Sequence, residues 1–441
     1  MRERVRHVGL GLVLLCAAGT LFVGFLLKSQ PTVDHGRLRF PCAEGDWHGQ
    51  QYTQLCYSDI VPLYGTEHLQ GGRIPYLDAC PRGSGQCDEY PVLTMFTMYL
   101  AAQTANSFAG FFYSNVFLLG LAAGVAAIAL YLMVGRRALW FALAPTLLVY
   151  GFMNWDLVAV AFATAATAAF LARRDRASGI LLGLGAAAKL YPALLVIPFL
   201  AHRLRQREPD RAIHLFWAAV GAWLVVNLPF AIAAPHGWTE FFRFNALRPA
   251  DFDSLWFVGC DLATGGKAAC LSTSQVGAGS AAAFVLGAGA VWLMKAARQP
   301  DFPRWTLGFP ILILFLVTNK VYSPQYGLWL LPWFPLVMPR VWRFTPWQTF
   351  ALFEIADVSV FVSRFSWFGS YDGGSIGGPL GAFFEIALIA RAAVLVACLV
   401  AYVKHRVPSP PEHVTETRRE RPDRGPRAEA EDAEEAEGAV A

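Results

Sequence analysis

The chain has 441 residues, of which 55% are apolar and only 15% are charged, and its formal net charge is +4. Soluble domains carry roughly 25% charged residues, so this composition excludes an ordinary soluble fold and predicts a membrane protein. The basic residues occur in short clusters between apolar runs and not in one patch interleaved with aromatics, which argues against nucleic acid as a partner.

The chain begins with an apolar run that is long enough to cross a membrane. Residues 8–27 contain no charge, and about 20 apolar residues cross a hydrocarbon core of ~30 Å. Arg2, Arg4 and Arg6 precede this run as in a signal peptide, but the run is too long for an ordinary h-region and no A-x-A-like cleavage site follows before Lys28. We therefore predict an uncleaved first helix.

Further apolar segments follow, and together they predict an all-α bundle with about twelve transmembrane segments. The pieces between residues 178 and 200 are short, and they could form one broken or re-entrant pair covered by protein or water. The stretch 92–102 could add a half-helix. The predicted spans are residues 8–27, 111–134, 138–152, 155–172, 178–188, 190–201, 213–234, 281–297, 305–318, 325–338, 347–363 and 380–403.

The basic clusters predict the topology, because cytoplasmic loops carry the excess of Lys and Arg. If the N-terminal arginines are inside, successive passes put every other cluster on the same side. Both termini are then cytoplasmic, and residues 28–91 and 235–279 form extracytoplasmic loops. The clusters are Arg136/Arg137, Arg173/Arg174/Arg176, Arg203/Arg205/Arg207, Lys295/Arg298/Arg304, Arg340/Arg343 and Lys404/Arg406.

The cysteines give a second argument for this topology, since disulfides persist in oxidising compartments and are rare in the cytosol. The first outer loop holds Cys42, Cys56, Cys80 and Cys87, which predicts two disulfides in one of three connectivities. The second outer loop predicts a Cys260–Cys270 disulfide. Cys16 and Cys398 lie inside spans and are interpreted as ordinary core residues.

The chain divides into one membrane domain, residues 1–403, and a tail, residues 404–441. The tail is rich in Pro, Arg, Glu and Ala and has almost nothing apolar to bury, so we predict that it is disordered. The first outer loop is the largest polar segment, as expected of an enzyme acting at the membrane surface. The cytoplasmic loops are too short to bind a nucleotide sugar.

Polar residues beside apolar runs gather at the predicted outer face. Ionisable groups in such places are costly unless they are paired or functional. Two lysines beside carboxylates at one depth predict a phosphate site next to an acid, although lysines also serve as interfacial anchors that snorkel. These residues are Asp59, Asn154, Trp155, Asp156, Lys189, Asn319, Lys320, Ser323 and Gln325.

Several motifs carry a family resemblance. They are residues 154–157 (NWDL), residues 183–192 (GLGAAAKLYP) and residues 319–326 (NKVYSPQY), the last followed by Trp329 and Pro332. The first loop adds Asp59, a Gly72-x-x-Pro75-Tyr76 pattern and Glu89-Tyr90-Pro91. In this order they resemble glycosyltransferase family 87, which contains polyprenol-phosphate-mannose-dependent mannosyltransferases with the GT-C membrane fold. The cysteine-bearing inserts between residues 54 and 89 and the long tail depart from the family pattern.

The resemblance implies a plasma-membrane hexosyltransferase that takes a hexose, with mannose as the expected sugar, from a polyprenyl-phosphate donor. The acceptor would be a lipid-linked or cell-envelope glycan at the outer face, and membrane lipids would surround the protein. A glycosyl phosphate already has a good leaving group, so inverting displacement needs one carboxylate base. The resemblance places that base at Asp59.

The resemblance and the local sequence also assign binding residues. The predicted donor-phosphate ligands are Lys189, Lys320 and Arg364, and the predicted substrate-binding residues are Asp156, Trp155, Glu89, Tyr90, Tyr191, Asn319 and Gln325. No cofactor is required, and the need for a divalent cation stays open. The histidines lack a metal-ligand spacing, so no metal site is predicted.

Several alternatives stay open. Asp156 could be a structural partner of Lys189, and Asp88 with Glu89 could be a solvated loop pair. Ionisable residues within the last spans are functional by default, but they could form an internal ion pair, for example Glu385 with Arg391. The members of this group are Glu354, Asp357, Glu385 and Arg391.

Two other function classes compete with the transferase. A transporter or flippase predicts charged groups near the bilayer midplane and inverted repeats, and no convincing repeat is evident. A membrane polysaccharide polymerase or ligase uses similar donors, and charge placement alone does not separate it from a transferase.

Overall fold

The computed structural model describes residues 2–45, 47–81, 87–265, 270–370 and 378–407. The regular secondary structure of this part is helical apart from one antiparallel hairpin, β1 (Thr32–Asp34) and β2 (Arg37–Arg39), in which Val33 pairs with Leu38. Of the predicted tail, residues 404–407 are described, and the rest lies outside the described residues. The helices are α1 (Arg2–Ser29), α2 (Pro41–Glu44), α3 (Gln50–Thr53), α4 (Ile60–Thr66), α5 (Val92–Gln103), α6 (Phe108–Val134), α7 (Leu139–Ala142), α8 (Pro145–Tyr150), α9 (Asp156–Leu171), α10 (Asp175–Ala188), α11 (Tyr191–Leu194), α12 (Val196–Arg205), α13 (Pro209–Ala233), α14 (Pro235–Leu247), α15 (Leu255–Thr264), α16 (Thr273–Arg298), α17 (Gly308–Thr318), α18 (Trp333–Val337), α19 (Pro346–Phe368) and α20 (Gly378–Lys404).

Five stretches of the described chain are helical, long and apolar enough to cross a membrane. Each coincides with a predicted span, so the chain is a multi-pass membrane protein. They are Gly9–Ser29, Phe108–Ala142, Pro209–Ala233, Thr273–Arg298 and Gly378–Lys404.

Apart from α19, which is one continuous helix over the predicted span 347–363, the other predicted spans are shorter or interrupted. The count of twelve is not confirmed. Proline causes several of the breaks, because it lacks an N–H and favours the first turn of a helix. Pro145 begins α8 inside the predicted span 138–152, and Pro192 lies in the first turn of α11, just after the chain leaves α10. Pro324 opens a 3-10 turn where a span was expected from residue 325. The predicted half-helix at 92–102 is present as α5.

Close helix packing fixes the direction of α10. Gly179 and Gly183 lie one turn apart and face the backbone of α13, and an added methyl group at either position would clash with it. Small residues at this spacing let membrane helices approach closely. The packing therefore determines where the chain emerges at Lys189, directly after α10.

A buried polar network connects the last helices. Arg391 of α20 pairs with Asp357 of α19 at 3.4 Å, and Glu354 accepts the Thr146 N–H at 2.7 Å. The suggested pair of Glu385 with Arg391 is wrong, because six residues place two side chains on different sides of a helix with about 3.6 residues per turn. Glu385 interacts with Asp261 of α15 instead.

The cysteines pair as predicted. Cys260 is bonded to Cys270, and the first-loop cysteines pair as Cys42–Cys56 and Cys80–Cys87. Neither Cys16 nor Cys398 is in a disulfide, and both pack with the apolar core. The disulfides brace the two loops from which the site described below is built.

Candidate active site

The position of Asp59 is fixed by the docking of the first loop onto the turn that follows α8. The Asp59 N–H donates to the Met153 carbonyl at 2.8 Å, and the Ser58 hydroxyl donates to the Phe152 carbonyl at 2.7 Å. The Lys28 ammonium, at the end of α1, donates to the Tyr57 carbonyl at 2.7 Å. Asp59 is thus held by backbone contacts on both sides just before α4 begins.

The Asp59 carboxylate accepts hydrogen bonds at both oxygens. Tyr57 Oη donates to Oδ1 and Asn154 Nδ2 donates to Oδ2, each at 2.8 Å, while Gln325 Nε2 lies 3.5 Å from Oδ2. Asp59 lines a cavity of about 1140 Å³. A carboxylate oriented in this way can accept a proton from a hydroxyl group that enters the cavity.

Asn154 connects Asp59 to Lys189. Its Nδ2 donates to Tyr90 Oη at 2.7 Å as well as to Asp59, and its Oδ1 accepts from Lys189 Nζ at 3.2 Å. Oδ1 also accepts from the Trp155 N–H at 2.7 Å, so both donor and both acceptor positions of the amide are used. Asn154 is 2% exposed. We call Tyr57, Asp59, Tyr90, Asn154 and Lys189 the Asp59 cluster.

Lys189 is also bound on its other side. Its ammonium lies 3.1 Å from Asp156 Oδ2, and Trp329 Nε1 donates to Asp156 Oδ1 at 2.7 Å. Asp156 is 0% exposed and does not line the cavity. The geometry therefore matches the alternative in which Asp156 is the structural partner of Lys189.

Trp155, which was predicted to bind substrate, also lies away from the cavity. It is fully buried, and its indole donates to Asn115 Oδ1 at 2.6 Å. The ring packs edge-on against Tyr90 at 5.8 Å. Trp155 thus packs against Tyr90 of the Asp59 cluster without lining the cavity.

An aromatic stack forms another part of the cavity. Trp329 lies between Tyr191 and Tyr326, with ring centroids 4.3 and 4.1 Å apart, and all three side chains line the cavity. The Lys189 ammonium lies over the Tyr326 ring at 5.3 Å and over the Tyr90 ring at 5.4 Å. Such a surface can pack against the apolar face of a sugar ring.

Two arginines reach the same cavity, Arg248 from the loop after α14 and Arg364 from α19. Arg248 donates to Asp251 at 2.8 Å, and Arg364 of α19 donates to Asp253 at 2.8 Å. Lys320 Nζ donates to the Ala246 and Arg248 carbonyls at 3.0 and 2.8 Å. We call Arg248, Asp251, Asp253, Lys320 and Arg364 the arginine cluster. Its three cations line the cavity that contains Asp59.

Glu89 is a second carboxyl group on the cavity wall. Burial raises its pKa to about 7, and the opposing charges of Arg248 and Lys189 only partly offset this. In the same loop, Glu67 accepts from the Asp88 N–H at 2.8 Å, and Asp88 pairs with Arg73. The solvated-pair alternative is wrong, because the Cys80–Cys87 disulfide and Arg73 hold Asp88 inside the loop at 4% exposure.

The structure brings most of the predicted site residues together. Asp59, Glu89, Tyr90, Lys189, Tyr191, Asn319, Lys320, Gln325 and Arg364 all line the cavity. In the described part of the chain, no group of three or more His, Cys, Asp or Glu side chains is placed to hold a metal ion. Asn154, Tyr326 and Trp329, which belong to the motifs noted in the sequence, line it as well. Sequence reasoning did not assign Tyr57 or Arg248 to the site.

Sequence comparison decides the family. A model of glycosyltransferase family 87 matches residues 90–318, just over half of the chain. The chain belongs to glycosyltransferase family 87. This family 87 member is therefore a membrane glycosyltransferase, and the match includes Asn154, Asp156, Lys189 and Arg248. Asp59 precedes the matched residues.

Other comparisons add less. No curated protein sequence matches the chain. Two crystal structures of ArnT from Cupriavidus metallidurans are similar at low identity. The form bound to undecaprenyl phosphate is 15% identical, with a TM-score of 0.44, over 92% of this chain and 78% of ArnT. The apo form is 14% identical, with a TM-score of 0.43, over 90% of this chain and 77% of ArnT.

Proposed function

We propose that this family 87 member transfers a hexose, with mannose as the expected sugar, from a polyprenyl-phosphate donor to a glycan or glycolipid acceptor. The observation that carries the proposal is the shared cavity. Asp59, oriented by Tyr57 and Asn154, lines the same cavity as the cations Lys320 and Arg364. A base for the acceptor and a positive surface for the leaving phosphate are the two requirements of this reaction.

The chemical step is an inverting displacement. Asp59 takes the proton of the acceptor hydroxyl, and the acceptor oxygen attacks the anomeric carbon of the donor sugar. The bond between that carbon and the phosphate oxygen breaks, and the phosphate leaves with the electron pair. The leaving group needs no general acid, and preorganised cations stabilise the charge that develops on it.

The cavity has room for both substrates. Its volume of about 1140 Å³ exceeds the range of roughly 300–1,000 Å³ that is usual for a single small ligand. We assign the sugar to the aromatic stack around Tyr191 and Trp329, with Glu89, Tyr90, Asn319 and Gln325 as hydrogen-bonding groups. Apolar side chains of α14 to α17, such as Phe241, Phe244 and Phe315, line the part that suits a lipid chain.

The charge distribution supports an extracytoplasmic cavity at the plasma membrane. Asp156 begins α9 and Lys189 directly follows α10, so both lie at one end of this helix pair. At the other end, Asp175 binds Arg203 at 2.6 Å and Arg211 at 2.9 Å. Because cytoplasmic ends of membrane helices carry the excess of basic residues, this distribution supports a cavity outside and termini inside.

Cysteine labelling in intact cells tests this orientation. Arg205→Cys, at the basic end, should not react with a membrane-impermeant thiol reagent. Arg37→Cys, in the exposed hairpin, should react. Labelling of Arg205→Cys in cells that remain intact would reverse the proposed topology.

The function itself is tested with radiolabelled donors. Membranes that contain the protein should move label from polyprenyl-phosphate mannose to a lipid or glycan product, and membranes without it should not. Polyprenyl-phosphate glucose serves as the matched donor for sugar choice. Equal transfer from a nucleotide sugar, with no lipid-linked intermediate, would contradict the proposal.

A further inference from the structure

Each arginine of the arginine cluster binds its carboxylate partner through a single guanidinium nitrogen. Arg248 uses a terminal nitrogen to bind Asp251, and Arg364 uses Nε to bind Asp253. Within the described ranges, the remaining nitrogens of both guanidinium groups have no hydrogen-bond partner. Because both side chains line the cavity, each can offer further donors to a ligand there.

Aromatic rings fix the two guanidinium planes. Arg364 lies over the rings of Phe365 and Phe368 at 5.3 and 4.6 Å, and Arg248 lies 5.8 Å from the centre of the Phe244 ring. Guanidinium groups stack on aromatic faces and present their donors in a planar fork that matches phosphate geometry. Less side-chain freedom is then lost when a phosphate binds.

Lys320 is occupied in a different way. Its ammonium binds the Ala246 and Arg248 carbonyls, and its own carbonyl accepts the Asp251 N–H at 2.8 Å. These contacts tie the segment after α14 to the segment after α17. A cation at the C-terminal carbonyls of a helix is also favourable electrostatically. Lys320 therefore holds the backbone that carries Arg248 and Asp251.

We propose that Arg248 and Arg364 are the residues that bind the phosphate of the lipid donor, and that Lys320 positions Arg248. This assignment rests on the proposed function and changes one part of it, because Lys320 acts through Arg248 and not on the phosphate. Three cations against two carboxylates leave the arginine cluster with one net positive charge. A glycosyl phosphodiester carries one negative charge, so the two are matched.

Binding of two lipids to the purified protein in nanodiscs tests the assignment. Polyprenyl phosphate and the uncharged polyprenol share the chain and differ in the phosphate, so the ratio of their affinities isolates the phosphate contact. Arg248→Gln and Arg364→Gln should each weaken polyprenyl phosphate binding about tenfold or more, since each removes charge-assisted hydrogen bonds to the phosphate. Polyprenol binding should not change.

A double-variant cycle tests the role of Lys320. Lys320→Gln should weaken phosphate binding in the wild-type background but have little further effect in the Arg248→Gln background. Arg248→Lys keeps the charge without the planar fork, and should bind phosphate with intermediate affinity even if Arg248→Gln folds poorly. The matched control is Arg243→Gln on the exposed side of α14, which should leave both affinities unchanged.

The outcomes distinguish a failure of the phosphate-site assignment from a failure of the proposed function. If the wild type transfers sugar but Arg248→Gln keeps the full preference for the phosphorylated lipid, the site assignment is wrong and the proposed function stands. If Lys320→Gln has the same effect in both backgrounds, Lys320 contacts the phosphate itself and its positioning role is wrong. If the wild type binds polyprenyl phosphate no better than polyprenol, the assignment and the proposed function fail together.

Discussion

The Asp59 cluster and the arginine cluster line one cavity, but the chain builds them differently. The Asp59 cluster joins side chains from distant segments through a network in which Asn154 uses every hydrogen-bonding position. The arginine cluster takes most of its members from one loop, residues 248–254, which Lys320 ties down through the backbone. Proton transfer needs one carboxylate in a fixed orientation, whereas a phosphate needs charge at a surface. The different construction fits the two tasks that we propose for these clusters.

The largest effect is expected from breaking the Asp59 cluster at Lys189. Lys189→Met removes one partner of a buried ion pair and leaves the Asp156 carboxylate buried, which typically costs about 3–5 kcal/mol. Unfolding of the purified variant should show this loss of stability. Lys320→Met is the matched control, because its bonds are to carbonyls and no buried carboxylate loses its charge partner. Equal stability of Lys189→Met and the wild type would show that the Lys189–Asp156 pair does not stabilise the fold.

The disulfides allow the two clusters to be perturbed separately. Cys42–Cys56 adjoins Tyr57, and Cys260 lines the cavity near the loop of the arginine cluster. Replacing either pair by serine should cost roughly 2–4 kcal/mol of stability. Loss of Cys42–Cys56 should mainly lower kcat, and loss of Cys260–Cys270 should mainly raise KM for the donor. Steady-state kinetics of both variants checks this, and the reverse pattern would contradict the division of roles.

The two clusters also differ in how far the sequence predicted them. Asp59, Lys189 and the motif around Asn154 stand out because polar groups beside apolar runs are costly unless they have a role. Arg248 has no such signal, since an arginine in an outer loop is unremarkable until its partner and cavity are known. The direct phosphate role predicted for Lys320 followed from its charge, which does not show that backbone carbonyls already bind it. Proline breaks at Pro145 and Pro192 similarly hid which apolar runs continue as single helices.

A smaller effect is expected from Glu67, a buried acid in the same loop as Asp59. Burial raises the pKa of Glu67 from 4.5 to about 7. Between pH 4.5 and about 7, Glu67 is therefore protonated in the folded protein and ionised in the unfolded chain. This contribution to stability is fully present below pH 4.5 and is lost as the pH rises through about 7.

Glu67→Gln should therefore reduce the loss of stability between pH 5 and about 7.5, as measured by thermal unfolding at a series of pH values. Glu44→Gln in the same loop is the control. Its hydrogen bond with Arg39 lowers the pKa of Glu44, so its contribution is lost only as the pH falls. An unchanged pH slope in Glu67→Gln would show that Glu67 is ionised in the folded protein.

Single-turnover transfer from polyprenyl-phosphate mannose by purified Asp59→Asn tests whether Asp59 is the general base. Asparagine keeps the shape and most hydrogen bonds but cannot take the proton, so the rate should fall by about 10² to 10⁴. Donor affinity should stay close to that of the wild type. The exposed Asp34→Asn, in the hairpin of the same loop, should react at the wild-type rate. A near wild-type rate in Asp59→Asn would show that Asp59 is not the base and would transfer that role to Glu89.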